Sequence, residues 1–269
     1  MYKRQDVNKE LVLKKAKDEF FNFKNVIEAQ GIKITFMVGS HGCPDHIFPN
    51  WFATFQDKSM QIFSMKALNR RAEKIPSMIK NLETKYKLVD DLTPYEEKGI
   101  FLESTSSMVF DRVNMIAYIG KSVRTNENLA REWCSKNGFE IVIFETTSHK
   151  NNPIYHTDVL MFVGTDMIGL CDEVINDDYK EEVLSRAQKY HDVMLLTKDQ
   201  ILDFCGNALE ARNNKDEKYL IMSSRAQKSL TSSQIVKIKK YYKDIIHADI
   251  STIEKYGGGS ARCMLTELF

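Results

Sequence analysis

The sequence predicts an α/β protein built from repeated units, each with a β-hairpin, a helix and a further strand. Pairs of short apolar strands joined by polar turns recur along the chain, and a helix follows each pair, with about fifty residues from one pair to the next. No stretch rich in Pro, Gly or Ser separates the units. The pattern favours a propeller or another closed repeat architecture within one domain, residues 1–269.

The chain opens on a helix rather than on a hairpin. Leu11, Phe20 and Ile27 belong to an apolar series at helical spacing from residue 8 to about residue 29, and Gly31 ends the helix. Residues 32–38 predict a strand. Because every later helix follows a hairpin, we expect the first repeat to lack its opening strand. Residues 1–5 resemble translated sequencing-adaptor read-through, so we expect that the native N-terminus has been cut.

Four hairpins are expected further along the chain, each from two apolar runs that flank a polar turn. They are residues 51–55 with 60–65, 108–110 with 115–119, 159–163 with 167–171, and 208–212 with 219–222. The periodicity also predicts helices over residues 76–86, 126–136, 179–190 and 231–243, and a strand over residues 140–144.

Composition and charge exclude several classes of function. Lys plus Arg total 38 and Asp plus Glu total 37, so the net charge of +1 provides no field that attracts nucleic acid or acidic lipid. No apolar run approaches the roughly 20 residues that cross a bilayer, and no signal peptide opens the chain, so we expect a cytoplasmic protein. The basic residues between Lys237 and Lys243 are more typical of a solvated helix face than of an RNA contact.

Five cysteines are scattered along the chain without a Cys-x-x-Cys pair, which favours reduced thiols over disulfides or a structural zinc site. His41, Cys43 and His46 have a spacing compatible with zinc, but no second ligand pair stands out, and we expect no metal. Trp51 and Trp133 are expected in the core.

Four segments could carry chemistry. Cys263 follows three glycines, which permit a close backbone approach, but no Gly-Lys-Ser/Thr phosphate motif is present. His156 and Asp158 alternate at the start of an expected strand, so period two places them on one face, where they could move protons or bind a cation. Glu103 and Asp45 precede other strands. Taken singly, each segment also fits an ordinary turn or strand end.

Taken together and in order, these segments resemble the guanidine-modifying enzymes of the pentein fold, which include arginine deiminases, dimethylargininases and amidinotransferases. The resemblance covers residues 20–269 and is greatest to the citrulline-utilisation hydrolase branch. It rests on Pro-Asp-x-Ile-Phe-Pro-Asn at 44–50, Asn-Arg-Arg at 69–71, Leu-Glu-x-Thr-x-Ser-Met-Val at 102–109, Arg-Thr at 124–125, His-Thr-Asp at 156–158, Cys-Gly-Asn-Ala-Leu-Glu at 205–210 and Gly-Gly-Gly-Ser-x-Arg-Cys-Met-Leu at 257–265. Ser104 and Ser106 depart from the pattern, since they stand where the family motif has glycines.

The resemblance implies a fivefold α/β propeller with its site at the central axis. It also assigns a role to each candidate residue. These roles are the nucleophile for Cys263, general acid and base for His156, orientation of His156 for Glu103, binding of the guanidinium nitrogens for Asp45 and Asp158, and binding of the substrate carboxylate for Arg124, with Arg70 or Arg71 as second choices.

The implied activity is hydrolysis of a guanidino or ureido amino acid through a covalent thiouronium intermediate, without metal or cofactor. Nearest resemblance favours citrulline, cleaved to ornithine, carbon dioxide and ammonia. Arginine deiminase, dimethylargininase and amidinotransferase activities stay open, as does the oligomeric state. A non-enzymatic alternative is a binding protein, because the same fold also serves as a ribosome anti-association factor. We expect a small-molecule partner and neither nucleic acid nor membrane.

Overall fold

The computed structural model describes residues 8–269. Residues 1–5, with the expected adaptor remnant, lie outside the described part of the chain. The described strands, in chain order, are β1 (Phe52–Thr54), β2 (Ser59–Ile62), β3 (Lys87–Asp91), β4 (Met108–Asp111), β5 (Ile116–Gly120), β6 (Glu140–Phe144), β7 (Met161–Val163), β8 (Met167–Leu170), β9 (Asp192–Leu195), β10 (Leu209–Arg212), β11 (Lys218–Ser223) and β12 (Asp244–Ala248).

Helices connect these strands and precede the first of them. Those described are α1 (Lys9–Glu28), α2 (Leu68–Arg71), α3 (Pro76–Glu83), α4 (Ser104–Ser107), α5 (Glu127–Asn137), α6 (Asp177–Gln188), α7 (Lys198–Leu202), α8 (Ser224–Ser229), α9 (Ser232–Ile238) and α10 (Ser251–Gly257). Within the described residues, no helix combines the length and the apolar character needed to span a membrane.

The strands form four three-stranded sheets of the same topology, which we call units 1 to 4 in chain order. In each unit an antiparallel hairpin leads through helix to a third strand, which pairs in parallel with the second hairpin strand. In unit 2, for example, Met108 faces Ile119 across the hairpin and Ile116 faces Glu140 in the parallel pair. The predicted repeat of hairpin, helix and strand is confirmed for these units.

Local chemistry explains where the helices begin and end. The Asn126 side chain accepts a hydrogen bond from the Leu129 N–H at the start of α5, and Gly138, at φ 74°, ends that helix in the left-handed conformation. The helix predicted over residues 231–243 is shorter than expected, and α9 ends at Ile238. Lys243 already donates its N–H to the Lys218 carbonyl at 2.8 Å, as the chain aligns with unit 4.

The strand predicted at residues 32–38 is absent, and the prediction was wrong. After α1 these residues run without strand pairing, and Phe36 packs against the Phe20 ring at a centroid distance of 5.7 Å. A third strand in the other units pairs with a hairpin that precedes its helix, and the described residues contain no hairpin before α1. Among the described residues, the backbone groups of residues 32–38 therefore have no strand ladder to join.

Four clusters of buried apolar side chains form the core, and both tryptophans belong to them. Trp51 is 0% exposed and Trp133 is 2% exposed, so their predicted core positions are confirmed. The Trp133 ring stacks on Phe110 at 5.3 Å, and its indole N–H donates to the Gln61 side chain. Burial of these aromatic surfaces is a main source of stability.

The first strands of units 2, 3 and 4 contact one another in turn. β4 contacts β7, β7 contacts β10, and the short helix α4 contacts β1. Helix α1 packs against β12 and α10. The candidate residues Glu103, His156, Asp158 and Cys263 are brought together from these parts of the fold.

Candidate active site

Glu103 and His156 form the centre of a buried polar cluster. The Glu103 side chain is 0% exposed, and its Oε2 atom lies 2.7 Å from His156 Nε2. Its Oε1 atom accepts the Lys66 N–H at 3.0 Å, and Arg124 Nη1 donates to Oε2 at 3.2 Å. Every oxygen of this carboxylate is therefore hydrogen-bonded, as a buried charge requires.

The surroundings of Glu103 keep its carboxyl group ionised. Burial alone would raise its pKa, but the hydrogen bond and charge of His156, with Arg124 nearby, lower it to about 2. The carboxylate then fixes the orientation of the imidazole through this contact. This is the arrangement that a general acid needs when it must deliver a proton to a leaving amine.

His156 and Asp158 do not lie on a strand, so the prediction that a strand begins at these residues was wrong. Residues Thr157–Val159 form a 3₁₀ turn, and β7 begins only at Met161. The Thr157 hydroxyl donates to the Ser107 carbonyl at 2.6 Å and accepts the Gly120 N–H at 2.8 Å. Because Thr157 is anchored in unit 2, the backbone turns, and both His156 and Asp158 become buried.

Cys263 follows α10 and the three glycines. Gly258 ends the helix at φ 73°, and a 3₁₀ turn, Arg262–Met264, then carries the cysteine. Phe48 packs so closely that a Cβ at Gly259 would lie 2.8 Å from its ring. The glycines thus allow the loop to fold against this ring, and Cys263 is left 8% exposed.

The Cys263 sulfur lies beside a buried acid. Its Sγ atom is 3.6 Å from Asp158 Oδ2, the acceptor for the thiol proton. Burial, with the charge of Asp158, raises the pKa of the thiol to about 12. The described contacts include no direct hydrogen bond between this sulfur and His156, but Asp158 interacts electrostatically with both side chains.

Asp158 has an unsatisfied oxygen. The residue is 2% exposed, and its Oδ1 atom has no hydrogen-bond partner among the described residues. Burial raises the pKa of this carboxyl group, against the opposing charge of His156. A planar cation with N–H donors would satisfy the free oxygen and offset the buried charge.

Asn207 joins the cluster, although the sequence analysis gave it no role. Its side chain is fully buried and contacts both Asp158 and Cys263. The signal in the sequence was its place in the Cys-Gly-Asn-Ala-Leu-Glu segment at 205–210, which contributed to the family resemblance.

Asp45 lies at the rim of the cluster. It is half-buried, and its Oδ2 atom accepts a hydrogen bond from the Asn69 side chain at 3.1 Å. The described contacts include no hydrogen bond between Asp45 and Cys263, His156 or Asp158. Asp45 also lines a cavity of about 1780 Å³ beside α1 and residues 32–37, which Cys263 and His156 do not line.

The three candidate arginines occupy different environments. Arg70 is buried, and its guanidinium pairs with Glu73 at 3.0 Å and donates to the Phe48 carbonyl. Arg71 donates to the Met65 and Lys66 carbonyls and lies near Glu96. Arg124 pairs with Glu103, lies over the Tyr155 ring at 5.3 Å and keeps 29% of its side chain exposed.

The residues considered for a zinc site and for an RNA contact make other interactions in the structure. In residues 8–269 no group of three or more His, Cys, Asp and Glu side chains is arranged to hold a metal ion, and the His46 Nδ1 atom accepts the Ser40 N–H. Lys237 and Lys243 form ion pairs with Asp192 and Glu217. These pairs fit a solvated surface.

A family model described as N,N dimethylarginine dimethylhydrolase, eukaryotic, matches residues 1–269. Comparison with curated protein sequences gave no match.

Solved structures share the fold. ArgZ, an arginine dihydrolase from the ornithine–ammonia cycle in cyanobacteria, aligns with a TM-score of 0.74 at 15% identity, over 95% of this chain and 36% of its own. Unliganded AgrE gives 0.74 at 13% identity, over 93% and 34%. A dimethylarginine dimethylaminohydrolase variant, as the adduct with S-methyl-L-thiocitrulline, gives 0.66 at 15% identity, over 93% and 87%. The chain thus spans about a third of the first two proteins.

Proposed function

We infer function from one premise: the chain belongs to the eukaryotic N,N dimethylarginine dimethylhydrolase family, within the guanidino-modifying pentein superfamily. The resemblance drawn from the sequence motifs is thereby confirmed at the level of the superfamily. We propose that the protein hydrolyses a C–N bond of a guanidino amino acid, arginine or an N-methylated arginine, with Cys263 as the nucleophile.

The observation that carries this proposal is the free Oδ1 atom of Asp158 beside the Cys263 sulfur. A guanidinium group offers N–H donors in one plane and a positive charge. Bound at Asp158, it would satisfy this oxygen and present its carbon to the sulfur. Asp45, half-buried at the rim, is proposed to hold the outer nitrogens.

Because the pKa of the Cys263 thiol is high, the bound substrate contributes to activation of this nucleophile. A thiol with a pKa of about 12 is protonated at neutral pH and is a weak nucleophile. A cation bound at Asp158 would neutralise the acid that raises this pKa and would favour the thiolate. The nucleophile would then form only when a substrate is present.

The proposed steps use His156 twice. The Cys263 thiolate attacks the guanidinium carbon, and His156 gives a proton to the departing amine as its C–N bond breaks, which leaves a thiouronium on the sulfur. His156 then takes a proton from water, the water oxygen attacks the same carbon, and the C–S bond breaks to release the thiolate and the ureido product, with the second proton of the water passing to solvent. Glu103 orients the imidazole through the 2.7 Å contact.

Recognition of the amino acid is assigned to Arg124. It is the candidate whose guanidinium is partly exposed next to the cluster, while Arg70 is buried against Glu73. An α-carboxylate would accept from the Arg124 nitrogens that do not face Glu103. Arg71 and Arg70 stay secondary candidates.

Citrulline, the substrate favoured by nearest resemblance, stays a prediction. Its ureido group is neutral, so it would not offset the buried Asp158 charge or lower the Cys263 pKa as a guanidinium would. The charge balance of the site therefore favours guanidino over ureido substrates.

We also propose that residues 1–269 form a single domain whose units surround an axis as a fivefold propeller. The contacts of β4 with β7 and of β7 with β10, with α1 packed on β12, support this arrangement. A compact chain of this length has a radius of gyration of about 18 Å. Small-angle scattering that gives a markedly larger value would argue for separate domains.

The function is tested with a substrate panel of arginine, monomethyl- and dimethylarginine, agmatine and citrulline. Ammonia, methylamine, dimethylamine, citrulline and ornithine are measured as products, and a second amine is added to detect amidino transfer. We expect an amine and a ureido product from arginine or a methylated arginine. Ornithine formed from citrulline alone would select the ureido substrate instead.

Cys263→Ser is expected to abolish turnover of every substrate, and Cys43→Ser, a half-buried cysteine outside the cluster, is the matched control. Unchanged turnover in Cys263→Ser would refute the nucleophile. Absence of any turnover by the folded wild-type protein would favour the non-enzymatic binding protein.

A further inference from the structure

Asn207 contacts both the proposed nucleophile, Cys263, and the main chain of the acid beside it, Asp158. It is 0% exposed and lies two residues before β10 in unit 4, 56 positions from Cys263 along the chain. We propose that the Asn207 side-chain amide donates a hydrogen bond to the Cys263 sulfur and stabilises its thiolate. This proposal rests on the nucleophilic role of Cys263 proposed above.

Two backbone groups fix the orientation of the Asn207 amide. The Cys263 N–H is a donor, so the atom it approaches at 3.2 Å must be the amide oxygen, Oδ1. The Asp158 carbonyl is an acceptor, so the atom 3.0 Å from it must be the nitrogen, Nδ2. Both contacts agree with one orientation and would clash in the flipped one.

The fixed orientation leaves one proton for the sulfur. Nδ2 carries two hydrogens, and only one of them is used by the Asp158 carbonyl. The Cys263 Sγ atom lies 3.1 Å from the same nitrogen, within reach of the second hydrogen. The amide therefore holds the main chain of Cys263 with its oxygen and the side chain of Cys263 with its nitrogen.

The donor matters most after the thiol loses its proton. The neutral thiol can donate to Asp158 Oδ2 at 3.6 Å, whereas a thiolate at that distance meets the carboxylate as a like charge. The Asn207 N–H then remains as a hydrogen-bond donor to the sulfur. Hydrogen bonds to a charged acceptor are about twice as strong as those between neutral groups.

Replacement of the donor should be visible in the reactivity of the sulfur itself. In Asn207→Asp a carboxylate oxygen faces the sulfur, and in Asn207→Ala the donor is lost. We expect iodoacetamide to alkylate Cys263 about ten to a hundred times more slowly in both variants between pH 7 and pH 9, because the thiolate fraction falls. Mass spectrometry of the Cys263 peptide measures the rate.

Asn137→Asp is the matched control. The Asn137 amide also bridges two partners, the Gln61 side chain and the Trp133 carbonyl, but it lies outside the cluster. This change should leave the Cys263 alkylation rate as in wild type. Equal rates in wild type and in folded Asn207→Asp would overturn the proposal.

A measurement on the wild-type chain covers the case in which both Asn207 variants fail to fold. The Asn207 side-chain amide resonances in ¹⁵N spectra should shift when Cys263 is alkylated, while those of Asn137 should not. Unmoved Asn207 resonances would overturn the proposal. Both readouts are independent of turnover, so a wild-type protein without hydrolase activity would refute the proposed function and leave the role of Asn207 to be decided by the alkylation rates.

Discussion

The Nε2 atom of His156 lies 2.7 Å from the Oε2 atom of Glu103, in a part of the protein closed to solvent. The two residues are 53 positions apart and come from different units. A carboxylate that is fully hydrogen-bonded has little freedom to move, so it defines where the imidazole lies.

Loss of the Glu103 charge should slow catalysis more than binding. Glu103→Gln keeps the shape of the side chain but cannot stabilise the protonated imidazole. We expect kcat to fall by about a hundredfold or more, with a small change in KM. Glu97→Gln, at an exposed position, serves as the control for steady-state kinetics. A fall in kcat/KM caused by KM alone would contradict this role.

Acid should weaken the fold through the same carboxylate. The folded pKa of Glu103, about 2, lies below its ordinary value of 4.5, so its contribution is complete above pH 4.5 and is lost as the pH falls toward 2. The shift corresponds to about 3 kcal/mol of the free energy of unfolding. Urea unfolding at pH 6 and pH 3 should show about 2 kcal/mol of this loss, because pH 3 still lies above the folded pKa, and the loss should be smaller in Glu103→Gln. Equal losses would exclude Glu103 as the source.

A cationic reagent should label Cys263 in preference to a neutral one. Chloroacetamidine can bind at Asp158 and lower the pKa of the thiol, whereas chloroacetamide cannot. We therefore expect the ratio of the two labelling rates to be higher at Cys263 than at Cys43, and to fall in Asp158→Asn. Peptide mapping measures both sites. Equal labelling of all five thiols would count against the guanidinium site.

The glycine loop should tolerate a methyl group at one position better than at its neighbour. In Gly259→Ala the new Cβ would lie 2.8 Å from the Phe48 ring and 3.2 Å from Cys263 Cβ, so the nucleophile must move. We expect kcat to fall by about tenfold to a hundredfold. Gly258→Ala meets no atom within 4 Å and costs only about 1 kcal/mol for its positive φ. Equal kcat values in the two variants would contradict the close packing.

The buried pair of Arg70 and Glu73 should contribute to stability. Arg70→Met leaves the fully buried Glu73 without its partner, and we expect the free energy of unfolding to fall by about 3 kcal/mol. Arg71, whose side chain is 25% exposed, should cost about 1 kcal/mol or less when changed to Met. Denaturant unfolding compares the two. A raised KM with unchanged stability in Arg70→Met would instead favour the substrate-binding role.

The sequence predicted the identity of the clustered residues better than their geometry. Glu103, His156, Asp158 and Cys263 lie in motifs whose order is readable along the chain, and the structure brings them together. The alternation that placed His156 and Asp158 on a strand could not detect Thr157, whose hydroxyl binds a different unit. Asn207 was missed because its role depends on a contact across 56 positions.

Some strands were missed for a related reason. β3 has no buried residue and alternates between half-buried and exposed positions, so it lacks the apolar run that predicted the hairpin strands. Residues 32–38 have the opposite character: their apolar side chains fit a strand, but pairing requires a neighbour. Both cases depend on long-range contacts that composition and periodicity do not contain.

The residues of the cluster come from different units, so a cut in the chain between those units separates them. Residues 149–153 form an exposed loop, the kind of site at which proteases nick a folded chain. Such a nick leaves Glu103 on one fragment and His156 with Cys263 on the other. Neither fragment would turn over substrate alone, and activity would return only when the two fragments reassociate through the Thr157 anchor and the imidazole–carboxylate contact.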